Sequence, residues 1–240
     1  MNKLSKNEFT STWSLYQLEH SLSKSDSNTQ EMLSSEIAAR SLLQAIDARD
    51  HYTYGHSIRV AHYCLILGQY LEFSAEQLYE LELSALFHDI GKITVPLNIL
   101  CKPSGLNNDE FKIMKKHPEM SYEILKAFRG FKNIALNAKH HHEHFNGKGY
   151  PNKLVGDNIP LCSRIILIAD TYDAITSSRV YREGMNAEVA FEELTQFSGT
   201  QFDPKLATTF VEAMRKFQQS QRQDNVIPLY PAASNRKKVA

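Results

Sequence analysis

Residues 74–92 read SAEQLYELELSALFHDIGK. Ser74, followed three residues later by Gln77, forms a helix-opening pair in which one side chain caps the first turn and the other reaches back to it. Leu78, Leu81, Leu83, Leu86 and Phe87 then recur at helical spacing, and the run stops at Gly91. The helix thus ends on a polar pair, His88 and Asp89, with Lys92 just beyond. Alone, such a pair is a weak signal, and its meaning depends on what the rest of the chain brings to it.

Outward from this helix the same periodicity repeats. Ile37, Ala38, Leu42, Leu43 and Ile46 predict a helix from Glu36 that ends in the charged stretch 47–50, and Val60, Tyr63, Cys64, Leu67 and Leu71 predict another from near His56. Further helices are expected over 108–117, 121–128, 133–142, 160–178, 187–197 and 204–217. No alternating strand pattern competes, so the expected fold class is all-α with no substantial sheet. The long irregular piece is 145–159, FNGKGYPNKLVGDNI, dense in Gly, Pro and Asn; loops of that length in compact domains are usually functional. The expected organisation is a polar lead-in over 1–33 with one short helix, a main domain over 34–218, and a flexible basic tail over 219–240.

With 240 residues and 42% hydrophobic content the chain buries one good core. Lys plus Arg and Asp plus Glu number 27 each, so there is no overall field for a DNA or RNA polymer or for an acidic membrane. Cys64, Cys101 and Cys162 are odd in number and far apart, and no signal-length or membrane-length apolar run occurs. The expectation is a cytoplasmic protein.

Of the ten histidines, His56, His88, His117, His141 and His142 fall at expected helix ends or beside turn signals, in the company of Asp89 and Asp170. Imidazoles mixed with carboxylates suit divalent Fe, Mn, Zn or Co better than Ca or Mg. Seven ligands are too many for one ion. A carboxylate can bridge two, and two ions about 3.5–4 Å apart can share a hydroxide and clamp a phosphate; Asp89 is the candidate bridge. Each piece also has a plainer reading. A lone helical histidine is usually a hydrogen-bonded core or surface residue, and Pro118 after His117 marks a turn or an ordinary helix stop. His140 and His144, spaced i, i+4, make a rival metal pair. Asp170 interrupts the apolar run RIILIADTYDAI, where an unpartnered carboxylate is costly to bury. Asp173, one turn on, either orients a ligand from behind or faces water.

From about Leu42 to Phe210 the chain resembles the HD-GYP domain, a branch of the HD superfamily of metal-dependent phosphohydrolases. The resemblance rests on ARDHYTYGHSIRV, ALFHDIGKITVP, MKKHPEMSYEIL, HHEHFNGKGYP, IPLCSRIILIADTYDAITSSRVYR and FDPKLATTF, in family order. It implies an HD-superfamily helical fold and, as metal ligands, His56, His88, Asp89, His117, His141, His142 and Asp170. It selects His141 and His142 over His140 and His144. It implies one ion at His56, His88 and Asp170 and another at His117, His141 and His142, with Asp89 between them and a bridging hydroxide as the attacking group. Lys92 matches the lysine that steadies the phosphate, Gly149, Tyr150 and Pro151 form the signature tripeptide, and Arg179 and Arg182 match positions that contact phosphate or guanine. Family members carrying a glutamate four residues before the first histidine bind a third metal; Tyr52 stands there, so two ions are expected, Fe or Mn ahead of Zn, Co or Ni.

The implied activity is hydrolysis of cyclic di-GMP to the linear dinucleotide pGpG or on to GMP. Departures gather on the substrate side: Asn146 replaces an aspartate in the run after His-His-Glu, Ser178 an aspartate before the first arginine, and Val180 a proline. They keep open another cyclic dinucleotide, such as 3',3'-cyclic GMP-AMP, and a non-hydrolytic dinucleotide-binding module. A homodimer, or docking to other signalling proteins, is also left open.

Overall fold

The structure is a computed structural model that describes residues 34, 35, 37–42, 51–178 and 183–223. The lead-in over 1–33, the end of the first expected helix beyond 42, the Tyr52 side chain, Arg179, Val180, Arg182 and the tail beyond 223 lie outside the described residues.

After a short helical stretch over 37–42, the elements are α1 (His51–Tyr70), α2 (Ala75–Phe87), a 3-10 turn (Ile90–Thr94), α3 (Leu97–Leu100), α4 (Asn108–Met114), α5 (His117–Leu125), α6 (Lys132–His140), a second 3-10 turn (Gly156–Asn158), α7 (Leu161–Thr176), α8 (Ala187–Gln196) and α9 (Pro204–Gln223). Among the described residues the only extended pairings are isolated bridges, Asn146 with Val155 and Ser198 with Phe202. The all-α expectation holds.

The Ser74 capping box forms as expected: its hydroxyl accepts from the Gln77 backbone, and the Gln77 side chain accepts from the Ser74 backbone at 2.9 Å. Three expected boundaries move. α1 already runs at His51, so His56 lies inside a helix and not near its start; Gly55 costs a helix only about 1 kcal/mol relative to Ala and does not stop one. Pro118 opens α5 in its first turn, where its missing N–H leaves no bond unmade. The last helix continues to Gln223, into the segment expected to be tail.

α1 packs along α2 and α7, α6 lies on α2 and α5, α8 on α7, and α9 closes over α1. Leu67, Leu81, Phe87, Phe131, Ile165, Phe191 and Phe210 fill the space between them with almost no exposure; each such side chain contributes about 1.5–3 kcal/mol. This packing brings the end of α2, the start of α5, the end of α6 and the middles of α1 and α7 to one place. Cys64, Cys101 and Cys162 are all free.

Candidate metal centre

A helix leaves its last four carbonyls without an intrahelical partner. Three site histidines use such carbonyls. His88 Nδ1 lies 2.6 Å from Ala85 O at the end of α2, His117 Nδ1 2.8 Å from Met114 O at the end of α4, and His141 Nδ1 2.6 Å from Ala138 O at the end of α6. A carbonyl oxygen only accepts, so each Nδ1 donates and a neutral ring turns the lone pair of Nε2 inward. His56 reaches the same posture differently: its Nδ1 donates to Asp173 Oδ2 at 2.7 Å, while its Nε2 faces Asp170 Oδ1 at 3.2 Å.

These inward atoms gather into three overlapping groups, His56–His88–Asp170, His117–His141–His142 and His88–Asp89–His141, each with its donor atoms within 4.8 Å of one another. Asp89 stands between the first two. Its Oδ1 is 3.1 Å from His117 Nε2 and 3.9 Å from His141 Nε2, and its Oδ2 is 3.3 Å from His88 Nε2 and 3.7 Å from His56 Nε2. His88 Nε2 and Asp89 Oδ1 are buried without a hydrogen-bond partner. His117 Nε2 and His141 Nε2 face each other at 3.3 Å. Lone pairs pointed at lone pairs and at a carboxylate are repulsive unless a positive species lies among them, and divalent cations satisfy such a donor set.

The protonation states of His141, His142, Asp89 and Asp170 suit that reading. Burial, reinforced by the neighbouring His117, pushes His142 down to about 3, and burial with the surrounding histidines holds His141 far below its ordinary range. Both stay neutral, as a ligand must. Burial alone would raise the two carboxylates, but Lys92 and the nearby histidines hold Asp89 well below its ordinary value, and His56 does the same for Asp170. His56 would be lowered by burial; its bonds to Asp170 and Asp173 outweigh that and lift it to about 9.

Lys92 Nζ sits 2.5 Å from Asp89 Oδ2. Asp173 does not face water: it is fully buried and accepts from His56, from Arg59 Nε at 2.6 Å and Nη2 at 3.0 Å, and from Ser177 Oγ at 2.8 Å. Arg59 escaped the sequence reading, although its place three residues after His56 puts both on one helical face. Ser121 escaped it too. Its hydroxyl accepts from Gly91 N at 2.9 Å and donates to His88 O at 2.8 Å, tying α5 to the end of α2. A Cβ on Gly91 would lie 2.1 Å from His117 O, so only glycine permits this approach.

The 145–159 loop is anchored by Glu143, another residue the sequence reading passed over, whose carboxylate accepts from Asn152 N at 2.6 Å and Leu154 N at 3.1 Å. Gly149 is buried against the backbone of His142 and His144, with no room for a Cβ. Tyr150 stacks on His142 with ring centroids 4.9 Å apart, and Pro151 follows through a cis peptide bond. Burial, with Asp89 and Asp170 nearby, raises the Tyr150 phenol, which stays protonated. The rival pair is not assembled: His140 Nδ1 lies 3.6 Å from Glu143, and neither His140 nor His144 joins the gathered donors. Of the departing residues, Asn146 Oδ1 accepts from Lys148 N at 3.0 Å and Ser178 Oγ from Gly184 N at 3.0 Å.

A family model described as HD domain matches residues 40–206. The cyclic di-GMP phosphodiesterase response regulator RpfG of Xanthomonas campestris is 37% identical over 180 residues, covering 74% of this chain and 48% of its own length. The 3'3'-cGAMP-specific phosphodiesterase 2 of Vibrio cholerae is 38% identical over 178 residues, covering 73% of this chain and 34% of its own. The chain therefore spans half or less of the length of these relatives. Among solved structures, the cyclic GMP-AMP specific phosphodiesterase V-cGAP3 of V. cholerae superposes with a TM-score of 0.60 at 23% identity, over 82% of this chain and 54% of that one, which establishes a shared fold.

Proposed function

Because this chain belongs to the HD domain family, we propose that it is a metal-dependent phosphodiesterase that hydrolyses cyclic di-GMP to pGpG, to GMP, or to both. The observation that carries this reading is Asp89, a buried carboxylate with one oxygen toward His117 and His141 and the other toward His56 and His88. His56, His88 and Asp170 would hold one divalent ion and His117, His141 and His142 a second, with Asp89 shared; Fe and Mn lead, and Zn, Co or Ni also suit the donors. When bound, such ions supply Lewis acidity that activates water and neutralises the phosphate.

The chain's own groups do the rest. The backbone carbonyls behind His88, His117 and His141 hold those rings in one tautomer, and Asp173 does so for His56. Lys92 carries a positive charge at the shared carboxylate, where it meets a scissile phosphate and steadies the charge that builds there. Tyr150 stacks on the His142 ring and covers one of its faces. Arg179 and Arg182 are assigned to the substrate's phosphate or guanine beside the centre, a task their planar guanidinium groups suit.

The deciding experiment is an anaerobic assay of the purified chain with cyclic di-GMP and Mn or Fe(II), with bound metal quantified. Two ions per chain without turnover would sink the substrate assignment. Asp89→Ala should lose both ions and activity; turnover retained in that variant would sink the shared role.

A second reading keeps the centre and exchanges the substrate for 3',3'-cyclic GMP-AMP. Two observations favour it: Asn146 and Ser178 replace aspartates at the substrate side, and a relative named for each substrate matches at 37% and 38% identity. Side-by-side rates on the two dinucleotides decide between them. No helix among the described residues is long and apolar enough to cross a membrane.

A further inference from the structure

From Tyr150 a chain of contacts leads away from the centre to the surface of α4. Lys115 Nζ lies 5.2 Å from the Tyr150 ring centroid and 4.5 Å from that of Phe111. Phe111 is 45% exposed. α4 has no buried residue at all. It is fixed instead by its N-terminal cap, where Asn107 Oδ1 accepts from Asp109 N and Glu110 N, and by the Lys102–Glu110 ion pair at 2.6 Å. Among the described residues, no carboxylate lies within 4.0 Å of Lys115. A fixed surface helix thus presents an ammonium group without a counter-ion between two aromatic rings, one of them stacked on His142.

We infer that Phe111 and Lys115 form a second substrate-binding region, which takes the half of the cyclic dinucleotide that is not being cleaved. This rests on the cyclic-dinucleotide reading above. Such a ligand carries two phosphates and two bases, and the centre engages only one phosphate. Lys115 meets the other phosphate, and the Phe111 ring stacks a purine. Base–aromatic stacking and a nearby cation favour this combination without reading the base's edge, so the region serves affinity for the dinucleotide class rather than choice between guanine and adenine.

The test is equilibrium binding of two ligands to the Mn-loaded chain under anaerobic conditions: cyclic di-GMP in its hydrolysis-resistant phosphorothioate form, and inorganic phosphate as a probe of the centre alone. Phe111→Ala and Lys115→Met are each expected to weaken cyclic di-GMP about tenfold, the loss of one stack or one phosphate contact. Phosphate affinity should hold, and Phe111→Trp and Lys115→Arg should restore dinucleotide binding. Parallel weakening of both ligands would overturn the proposal, because the effect would then run through the centre. Unchanged dinucleotide affinity would overturn it too, while leaving the phosphodiesterase reading standing. A wild-type chain that binds phosphate but no cyclic dinucleotide would remove that reading, and this one with it.

Discussion

Asp173→Asn removes one charge from the centre and almost no volume. Asp173 Oδ2 accepts from His56 Nδ1 at 2.7 Å and Arg59 Nη2 at 3.0 Å, and Oδ1 accepts from Arg59 Nε at 2.6 Å and Ser177 Oγ at 2.8 Å. An asparagine keeps one acceptor and turns the other into a donor. Its amide nitrogen settles at the Oδ1 place, because the Ser177 hydroxyl can rotate and the Arg59 side chain, 28% exposed, can turn to water. His56 then keeps a partner but loses the negative charge behind it. Loss of an outer partner of this kind costs about 10- to 100-fold in metal affinity, or about 1.4–2.7 kcal/mol. The loss should fall on His56–His88–Asp170, because His117, His141 and His142 make no hydrogen bond to Asp173. Dialysis against graded Mn, followed by elemental analysis, reads this directly: at a free Mn concentration that gives two ions per wild-type chain, the variant holds one. The metal-free variant should also lose about 1–3 kcal/mol of stability. A variant that titrates like the wild type, or that gives up both ions together, would refute the reasoning.

Three other outcomes follow from the packing and the buried groups. Gly91→Ala forces a Cβ to 2.1 Å from the His117 carbonyl; overpacking against backbone costs about 3 kcal/mol, so thermal unfolding should fall by roughly 6–12 °C, and an unchanged midpoint would contradict the close approach. Glu143→Gln leaves the Asn152 or Leu154 N–H facing an amide donor, at about 1–3 kcal/mol; limited proteolysis should cut the 145–159 loop faster while circular dichroism keeps its helical signal. Half-buried His62 packs against Phe217 with ring centroids 5.6 Å apart, and burial holds it below its ordinary value. Because its folded value is the lower one, the unfolded chain takes up this proton first, so the stability involved is full above about pH 6.5 and is lost as the pH falls; His62→Gln should flatten that acid slope in denaturant titrations.

The sequence by itself determined the helices and named the histidines and aspartates that the fold gathers, though not Arg59, Ser121 or Glu143. Helix periodicity and the Ser74–Gln77 box are local physics, set by bonds that reach three or four residues, so they could be read without neighbours. The same holds for the placement of His88, Asp89 and Lys92 at the end of an apolar helix. Local reading failed where one rule had two outcomes: Pro118 could end a helix or open one, and Asp173 could face water or a histidine. Residue types alone also left His140 and His144 as rivals to His141 and His142, and the family resemblance, not spacing, chose between them. Only the tertiary structure decided that Asp173 is buried behind His56, in a bond spanning 117 positions, and that Ser121 locks α5 to the end of α2 across 30. It alone divided the two oxygens of Asp89 between two groups of imidazoles. Directions and distances between side chains on separate helices are fixed by how those helices pack, and no bond within a single segment carries that information.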